Sequence, residues 1–114
     1  MVEIVAKHRL SNTQVATLHH ILAPFAEKIE LAGLFGSRAT GKARPNSDID
    51  LVLYGALDEA LINRIWTLFD ESELALKVDV NAYNLITHRG LKAHIDQVML
   101  PLFTREELTK AGSH

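Results

Sequence analysis

Between residues 34 and 51 the chain reads Leu-Phe-Gly-Ser-Arg-Ala-Thr-Gly, then a short spacer, then Ser-Asp-Ile-Asp-Leu. The residues before the turn, Glu30 to Phe35, are mostly apolar and predict a strand that ends at Gly36. The spacer is rich in glycine, proline, asparagine and serine, a composition typical of a loop. Asp48 to Tyr54 predicts a second strand, which Gly55 closes. Two strands joined by a polar loop therefore form the centre of the predicted fold.

Asp48 and Asp50 lie two positions apart on the second predicted strand, so their side chains point to the same face. Ile49 and Leu51 then point to the opposite face, which is the predicted core. Two neighbouring carboxylates repel each other unless a cation lies between them, and Mg²⁺ prefers carboxylate oxygens. Two metal ions about 3.5–4 Å apart can hold the attacking and leaving oxygens of a phosphoryl transfer. Taken alone, the pair also fits a solvated strand face or a turn-capping pair.

Gly36 and Ser37 follow directly after the first predicted strand. Glycine lets a backbone N–H approach a phosphate closely, and the serine hydroxyl is a further donor. A short helix beginning at Arg38 would direct its N-terminus at the same anion, whereas a plain strand-to-loop turn is the alternative. Arg38, Lys42 and Arg44 are candidates to neutralise a triphosphate, or else form a solvated basic loop. Together, the turn, the loop and the aspartates predict a phosphate cradle and a metal pair at one end of adjacent strands.

The third acidic candidate is Asp79, on a third predicted strand that runs from Lys77 to Tyr83. Val78 and Val80 flank it, so its carboxylate faces away from the predicted core. If this strand neighbours the second one, Asp79 joins the carboxylate pair. It can then ligate a catalytic metal and accept the proton of an attacking hydroxyl. An exposed strand aspartate is the alternative.

The remaining segments predict helices around this sheet. A first helix begins at Ser11, with Gln14 as its capping-box partner, and Pro24 predicts a break in it. Other helices are predicted to begin at Asp58, at about Gly90 and at Thr104. The prediction is one α/β domain over residues 1–114, with a small mixed sheet of about three strands and helices packed on one face. Residues 112–114 are interpreted as the remnant of a cloning tag.

Composition narrows the classes of protein. The chain has 114 residues and no cysteine, which excludes disulfides, thiolate nucleophiles and cysteine metal sites, and we expect a cytoplasmic protein. Apolar runs stay far below the roughly 18 residues of a membrane span, so no membrane association is expected. The net charge of −2 gives no indication of nucleic-acid binding, although it does not exclude such binding.

The pattern of a Gly-Ser turn, a spacer, Asp-x-Asp and a later single aspartate resembles the DNA polymerase beta-type nucleotidyltransferase superfamily. The strong match covers Leu34 to Tyr54, and Asp79 extends it. The short length is similar to the minimal nucleotidyltransferases of bacteria and archaea. The resemblance implies a polymerase beta-like fold.

The same resemblance implies roles for individual residues. Gly36 and Ser37 would contact the β- and γ-phosphates of a nucleoside triphosphate. Asp48 and Asp50 would hold two Mg²⁺ ions. Asp79 would hold the catalytic metal and activate the incoming hydroxyl. The implied reaction transfers a nucleoside monophosphate, expected to be AMP from ATP, and releases pyrophosphate by positioning and charge neutralisation.

Members of the minimal group are often paired with a small helical HEPN-class protein as toxin and antitoxin. The resemblance therefore implies two hypotheses: an enzyme that adenylylates such a partner, or a non-catalytic antitoxin that neutralises it by contact. Both predict an apolar face that a partner or a second copy covers, and Leu100 to Phe103 is the candidate, with a buried terminal segment as the alternative. Neither the base nor the acceptor is encoded in a motif.

Several other residues carry no chemical prediction. His19, His20 and His94 have no partner at a spacing typical of metal sites, so packing or surface roles are expected. Tyr54 and Tyr83 end predicted strands, where stacking on a base and packing at the core edge are equally compatible with the sequence.

Overall fold

A computed structural model describes residues 4–5 and 8–110 of the chain. Its strands are β1 (Ile4–Val5), β2 (Leu10–Ser11), β3 (Ile29–Phe35), β4 (Ile49–Gly55), β5 (Val78–Ala82) and β6 (Leu100–Thr104). Its helices are α1 (Asn12–Leu22), α2 (Ser37–Thr40), α3 (Glu59–Asp70), α4 (Arg89–Val98) and α5 (Arg105–Lys110). The segment 112–114, interpreted as a tag remnant, lies outside the described residues.

The central sheet has four strands in the order β5-β4-β3-β6. Strand β3 is antiparallel to both of its neighbours, and β4 and β5 are parallel, so the predicted mixed α/β class is confirmed. The sheet exceeds the predicted three strands because residues 100–104 form the edge strand β6, in which Phe103 is buried. Pro101 is compatible with this place because an edge strand has one side free of ladder hydrogen bonds. Within Leu100 to Phe103, the burial of Phe103 fits the interpretation as a buried segment, whereas the exposed Pro101 and the half-buried Leu100 and Leu102 leave part of this strand accessible to a partner.

The two faces of the sheet bury different side chains. Ile49, Leu51 and Leu53 of β4 point into the main core, which α1, α3 and α5 cover. On the opposite face, Val52 packs with Phe35 and with Ile95 of α4. The prediction of helices on one face is therefore wrong for α4. Its physical reason is that apolar side chains emerge from both faces near the centre of the sheet, and both must be covered.

The helix ends follow the predicted capping signals. The Ser11 hydroxyl accepts from the backbone N–H of Gln14, and the Gln14 side chain accepts from the backbone of Ser11. Helix α1 ends at Leu22, and a 3₁₀ turn containing Pro24 follows, which confirms the predicted break. A second box, between Thr104 and Glu107, begins α5. In the described segments no helix has both the length and the apolar character needed to cross a bilayer.

We predict that Ile95→Ala lowers the free energy of unfolding by about 2–4 kcal/mol, because Ile95 is fully buried between α4 and the second sheet face. Chemical denaturation measures the loss, and Gln97→Ala, at an exposed position of the same helix, is the control. A loss equal to that of the control would show that α4 does not cover this face.

Candidate active site

The pairing of β4 with β5 brings two of the predicted carboxylates together. These strands are parallel, and Asp50 lies directly opposite Asp79 in their register. Both side chains leave the sheet on the face away from the main core, and both are half-buried. Asp48 lies one residue before β4 begins and is exposed. The three candidates therefore lie at the same end of adjacent strands.

The Gly-Ser turn lies against the same carboxylates. Phe35, the last residue of β3, pairs with Asp50 across the antiparallel ladder, which places Gly36 beside the Asp50 side chain. Gly36 has a φ of +70°, and a Cβ added there would overlap the Asp50 carboxylate oxygen. Only glycine fits both the left-handed backbone and this close approach.

The short helix α2 begins at Ser37, one residue before the start considered at Arg38. Within the described ranges, 4–5 and 8–110, no hydrogen-bond partner is found for the Ser37 hydroxyl, so the group is free to bind a ligand. The first backbone N–H groups of a helix also lack partners within the helix. Because Gly36 lies close to Asp50, the Ser37 hydroxyl and these N–H groups lie along one side of the acidic site.

The acidic site favours a cation. Burial, the largest cause, raises the pKa of the Asp50 carboxyl above its ordinary value. The negative charges of Asp79 and Asp48 raise this pKa further. His94 and Arg38 oppose the rise, yet the net shift is upward. A divalent ion bound between the carboxylates would remove this repulsion.

The donor set fits Mg²⁺ held partly by a substrate. Carboxylate oxygens are the ligands that Mg²⁺ prefers, and it commonly binds one or two of them together with phosphate oxygens and water. No group of three or more His, Asp or Glu side chains in the described part of the chain is already arranged around a metal position. A nucleotide bound at the neighbouring turn would supply the remaining oxygen ligands.

Asn81 is a site residue that the sequence analysis missed. It follows Asp79 by two positions on β5, so both side chains lie on the same face. Its side-chain amide donates to Asp79 Oδ2 at 3.1 Å and to the backbone carbonyl of Leu51 at 3.4 Å. The available signal is the residue type, because asparagine is depleted in strands.

Arg38 lies elsewhere than predicted. Its side chain is only 1% exposed, and its guanidinium donates to the backbone carbonyls of Ser47 at 2.7 Å and His8 at 2.9 Å. The proposed phosphate contact of this side chain is therefore not supported, because its terminal nitrogens face carbonyls inside the protein. Lys42 and Arg44 of the same loop are exposed.

Helix α4 brings a histidine to the acidic face of the sheet. His94 lies edge-on to the Phe35 ring, with 6.2 Å between ring centroids, and it opposes the rise in the Asp50 pKa. No motif spacing in the sequence involves His94, so the sequence predicts only a packing or surface role for it. The position of His94 near Asp50 results from the packing of α4 on the second face of the sheet, which the sequence did not predict.

Tyr54 and Tyr83 stack on each other rather than offering a free ring. Their centroids lie 4.8 Å apart, and the Lys92 ammonium lies 4.7 Å from the centroid of Tyr83. The Tyr83 hydroxyl donates to Asp96 of α4. These contacts support packing at the core edge, one of the two interpretations of the tyrosines.

A surface groove of about 670 Å³ lies apart from the acidic site. It lies at the end of α1 and beside α5, with Pro24 and Arg105 among its lining residues. None of the three carboxylates lines it. The candidate site is therefore the strand end that carries the carboxylates and is separate from this groove.

Comparison with known proteins agrees with this geometry. The family model described as polymerase beta, nucleotidyltransferase, matches residues 17–108. The chain belongs to this family. It is accordingly a nucleotidyltransferase, with the polymerase beta-like fold that its motifs predicted. A comparison with curated protein sequences finds no match.

Solved structures of other proteins share the fold. A toxin–antitoxin crystal structure with AMP-PNP is 24% identical, covers 87% of this chain and 84% of its own, and has a TM-score of 0.66. A mutant of the toxin–antitoxin MntA-HpeT is 21% identical, with the same coverage and a TM-score of 0.64. The toxin–antitoxin MntA-HepT is 21% identical, covers 87% of this chain and 81% of its own, and has a TM-score of 0.52.

We predict that Gly36→Ala abolishes Mg²⁺-dependent nucleotide binding, because the new methyl group displaces the Asp50 carboxylate. Gly41→Ala is the matched control, since Gly41 has a φ of +83° but no described contact with a carboxylate. Both variants lose about 1–2 kcal/mol of stability from the left-handed backbone. Calorimetric titration with an ATP analogue separates them, and equal binding by the two variants would contradict the close approach.

We also predict that Asn81→Ala lowers kcat about tenfold while changing the KM for nucleotide little, because Asp79 loses the donor that orients it. Asn63→Ala, at an exposed position of α3, is the control. Steady-state kinetics with saturating Mg²⁺ provide the measurement. An unchanged kcat would mean that the Asn81 amide does not hold the carboxylate in the working site.

Proposed function

We propose that this protein is a Mg²⁺-dependent transferase that moves AMP from ATP to a hydroxyl acceptor. The observation that carries the proposal is the register that places Asp50 opposite Asp79, with Gly36 against the Asp50 carboxylate. This register brings the carboxylates and the Gly-Ser turn to one end of the sheet. Nucleotidyl transfer needs both, because its donor is a triphosphate that carries metal ions.

In the proposed site the turn binds the donor. The backbone of Gly36 and the hydroxyl of Ser37 hold the β- and γ-phosphates, and the exposed Lys42 and Arg44 add positive charge nearby. Phosphates held at these points direct the α-phosphorus toward the strand ends. The turn thereby supplies orientation, which is a large part of catalysis in phosphoryl transfer.

The carboxylates hold the metals and the acceptor proton. Asp48 and Asp50 would bind two Mg²⁺ ions, and Asp79 would share the catalytic one. When bound, the ions neutralise charge that builds up on the phosphates during transfer. Asp79, held at one oxygen by Asn81, receives the proton of the incoming hydroxyl at its other oxygen. The alcohol oxygen forms a bond to the α-phosphorus, and pyrophosphate leaves.

For the acceptor we propose a hydroxyl side chain on a small helical HEPN-class toxin. One observation supports this choice. Solved structures of similar fold include toxin–antitoxin complexes, one of them with AMP-PNP. A second copy of the chain is the other candidate partner. ATP, Mg²⁺ and such a partner meet in the cytoplasm, where we expect the protein to act.

The single variants Asp48→Asn, Asp50→Asn and Asp79→Asn test the enzymatic proposal. We expect the first two to lose Mg²⁺-dependent binding of an ATP analogue, because each removes a metal ligand. We expect Asp79→Asn to keep part of that binding and to lose transfer of labelled AMP by about 10²–10⁴-fold, the range of a lost general base. Asp70→Asn, an exposed carboxylate at the end of α3, is the control. Binding that is independent of Mg²⁺ and of Asp48 would overturn the proposal.

The competing function is an antitoxin that neutralises its partner by contact alone. The doubly substituted protein, Asp48→Asn with Asp50→Asn, discriminates the two when it is mixed with the partner. Loss of neutralisation with binding intact supports the enzyme. Full neutralisation by the double variant supports contact alone, and the acidic strand end, which a contact role does not need, favours the first outcome.

A further inference from the structure

We propose that Arg38 is a positioning residue for Asp48. Its side chain connects the loop that contains Asp48 to the turn before β2. The inference rests on the proposed function, since it concerns the metal ligand of that site. It replaces the phosphate contact predicted for Arg38 with a role inside the protein.

One end of the guanidinium holds the loop that delivers Asp48. The Nη2 atom donates to the carbonyl of Ser47 at 2.7 Å and contacts that of Pro45 at 3.5 Å. Ser47 is the residue immediately before Asp48. The segment from Lys42 to Asp48 contains no helix or strand, so its path depends on such individual bonds.

The other end reaches a distant part of the chain. The Nη1 atom donates to the carbonyl of His8 at 2.9 Å and contacts that of Arg9 at 3.4 Å. This turn is itself fixed, because the His8 ring accepts from the backbone N–H of Leu10 at 2.9 Å and Arg9 adopts a φ of +60°. A single side chain thus connects the metal-binding loop to the base of α1.

Only an arginine fits this place. Its planar fork presents donors in two directions, whereas a lysine ammonium is a single point on a flexible stem. The Nε atom is buried without a partner in the described part of the chain, a cost that a side chain serving packing alone would avoid. A well-packed apolar residue often stabilises a core as well as a buried charge does. The retained charge is therefore explained better by the loop that it holds.

The charge also acts on the site. Burial lowers the pKa of Arg38, and the negative charges of Asp48 and Asp50 oppose that effect. The guanidinium stays protonated, as arginine does throughout the ordinary pH range. Asp48 is exposed and has no side-chain hydrogen bond among the described residues, so its place depends on the backbone that Arg38 holds.

The test uses the full chain with Arg38→Gln and Arg38→Lys. Arg64→Gln is the control, because Arg64 is an exposed arginine of α3 that has no part in the proposed site. We expect Arg38→Gln to raise the Mg²⁺ concentration for half-maximal transfer about 10- to 100-fold, the range found when support of a metal ligand is removed. The KM for ATP at saturating Mg²⁺ should change less than about threefold, because the Gly-Ser turn is intact. Arg38→Lys should recover only part of the Mg²⁺ affinity.

A second measurement does not depend on catalysis. Hydrogen exchange at the amides of residues 44–49 should quicken in Arg38→Gln and stay unchanged in Arg64→Gln. A wild-type protein without Mg²⁺-dependent transfer would refute the proposed function, while the exchange result would still decide the role of Arg38. Should Arg38→Gln be unfolded at 25 °C, Arg38→Lys decides by the same criteria. Wild-type Mg²⁺ dependence together with wild-type exchange would overturn the inference, as would an activity loss that only follows the unfolded fraction.

Discussion

The register of β4 is the constraint on which the rest of the structure depends. Its antiparallel pairing with β3 places Phe35 opposite Asp50, and its parallel pairing with β5 places Asp79 opposite the same residue. A slip of one residue would turn Ile49 and Leu51 to the solvent and the carboxylates into the main core. The hydrophobic demand of the core therefore fixes the acidic site, because the same alternation serves both.

The acidic site destabilises the folded protein, and packing in the rest of the fold must offset this loss of free energy. Half-buried carboxylates on neighbouring strands repel each other, and the raised pKa of Asp50 records that repulsion together with its burial. Nearby positive charge is held by Arg38, which is buried against carbonyls instead of pairing directly with an acid. The arrangement leaves the acidic oxygens available to an external cation. An ion pair inside the protein would have neutralised them and removed the reason to bind metal.

The features that the sequence predicted depend on residues close together in the chain. The features that it did not predict depend on residues that are far apart in the chain. Alternation within β4 and β5 is local, so the faces of Asp50 and Asp79 could be inferred from their apolar neighbours, as could the capping boxes at Ser11 and Thr104. The burial of Arg38 could not, because its partners near His8 are remote in the chain and a basic residue in a polar loop favours an exposed interpretation. Strand β6 was missed for a related reason: Pro101 argues against a strand unless the edge position is known.

Helix α4 and the residues near it cover one end of β4 and leave the other end open. This difference separates the donor side of the proposed reaction from its acceptor side. Helix α4 covers the second face over Val52, and the Tyr54–Tyr83 stack closes the region beyond. The opposite end of β4, with Asp50 and the exposed Asp48, stays open. In the proposed function a triphosphate would find its fixed contacts there, because the turn at Gly36 follows directly from strand β3 of the sheet. For the proposed acceptor, the described residues offer no comparable set of contacts, and a folded protein partner would supply them more readily than a small free alcohol.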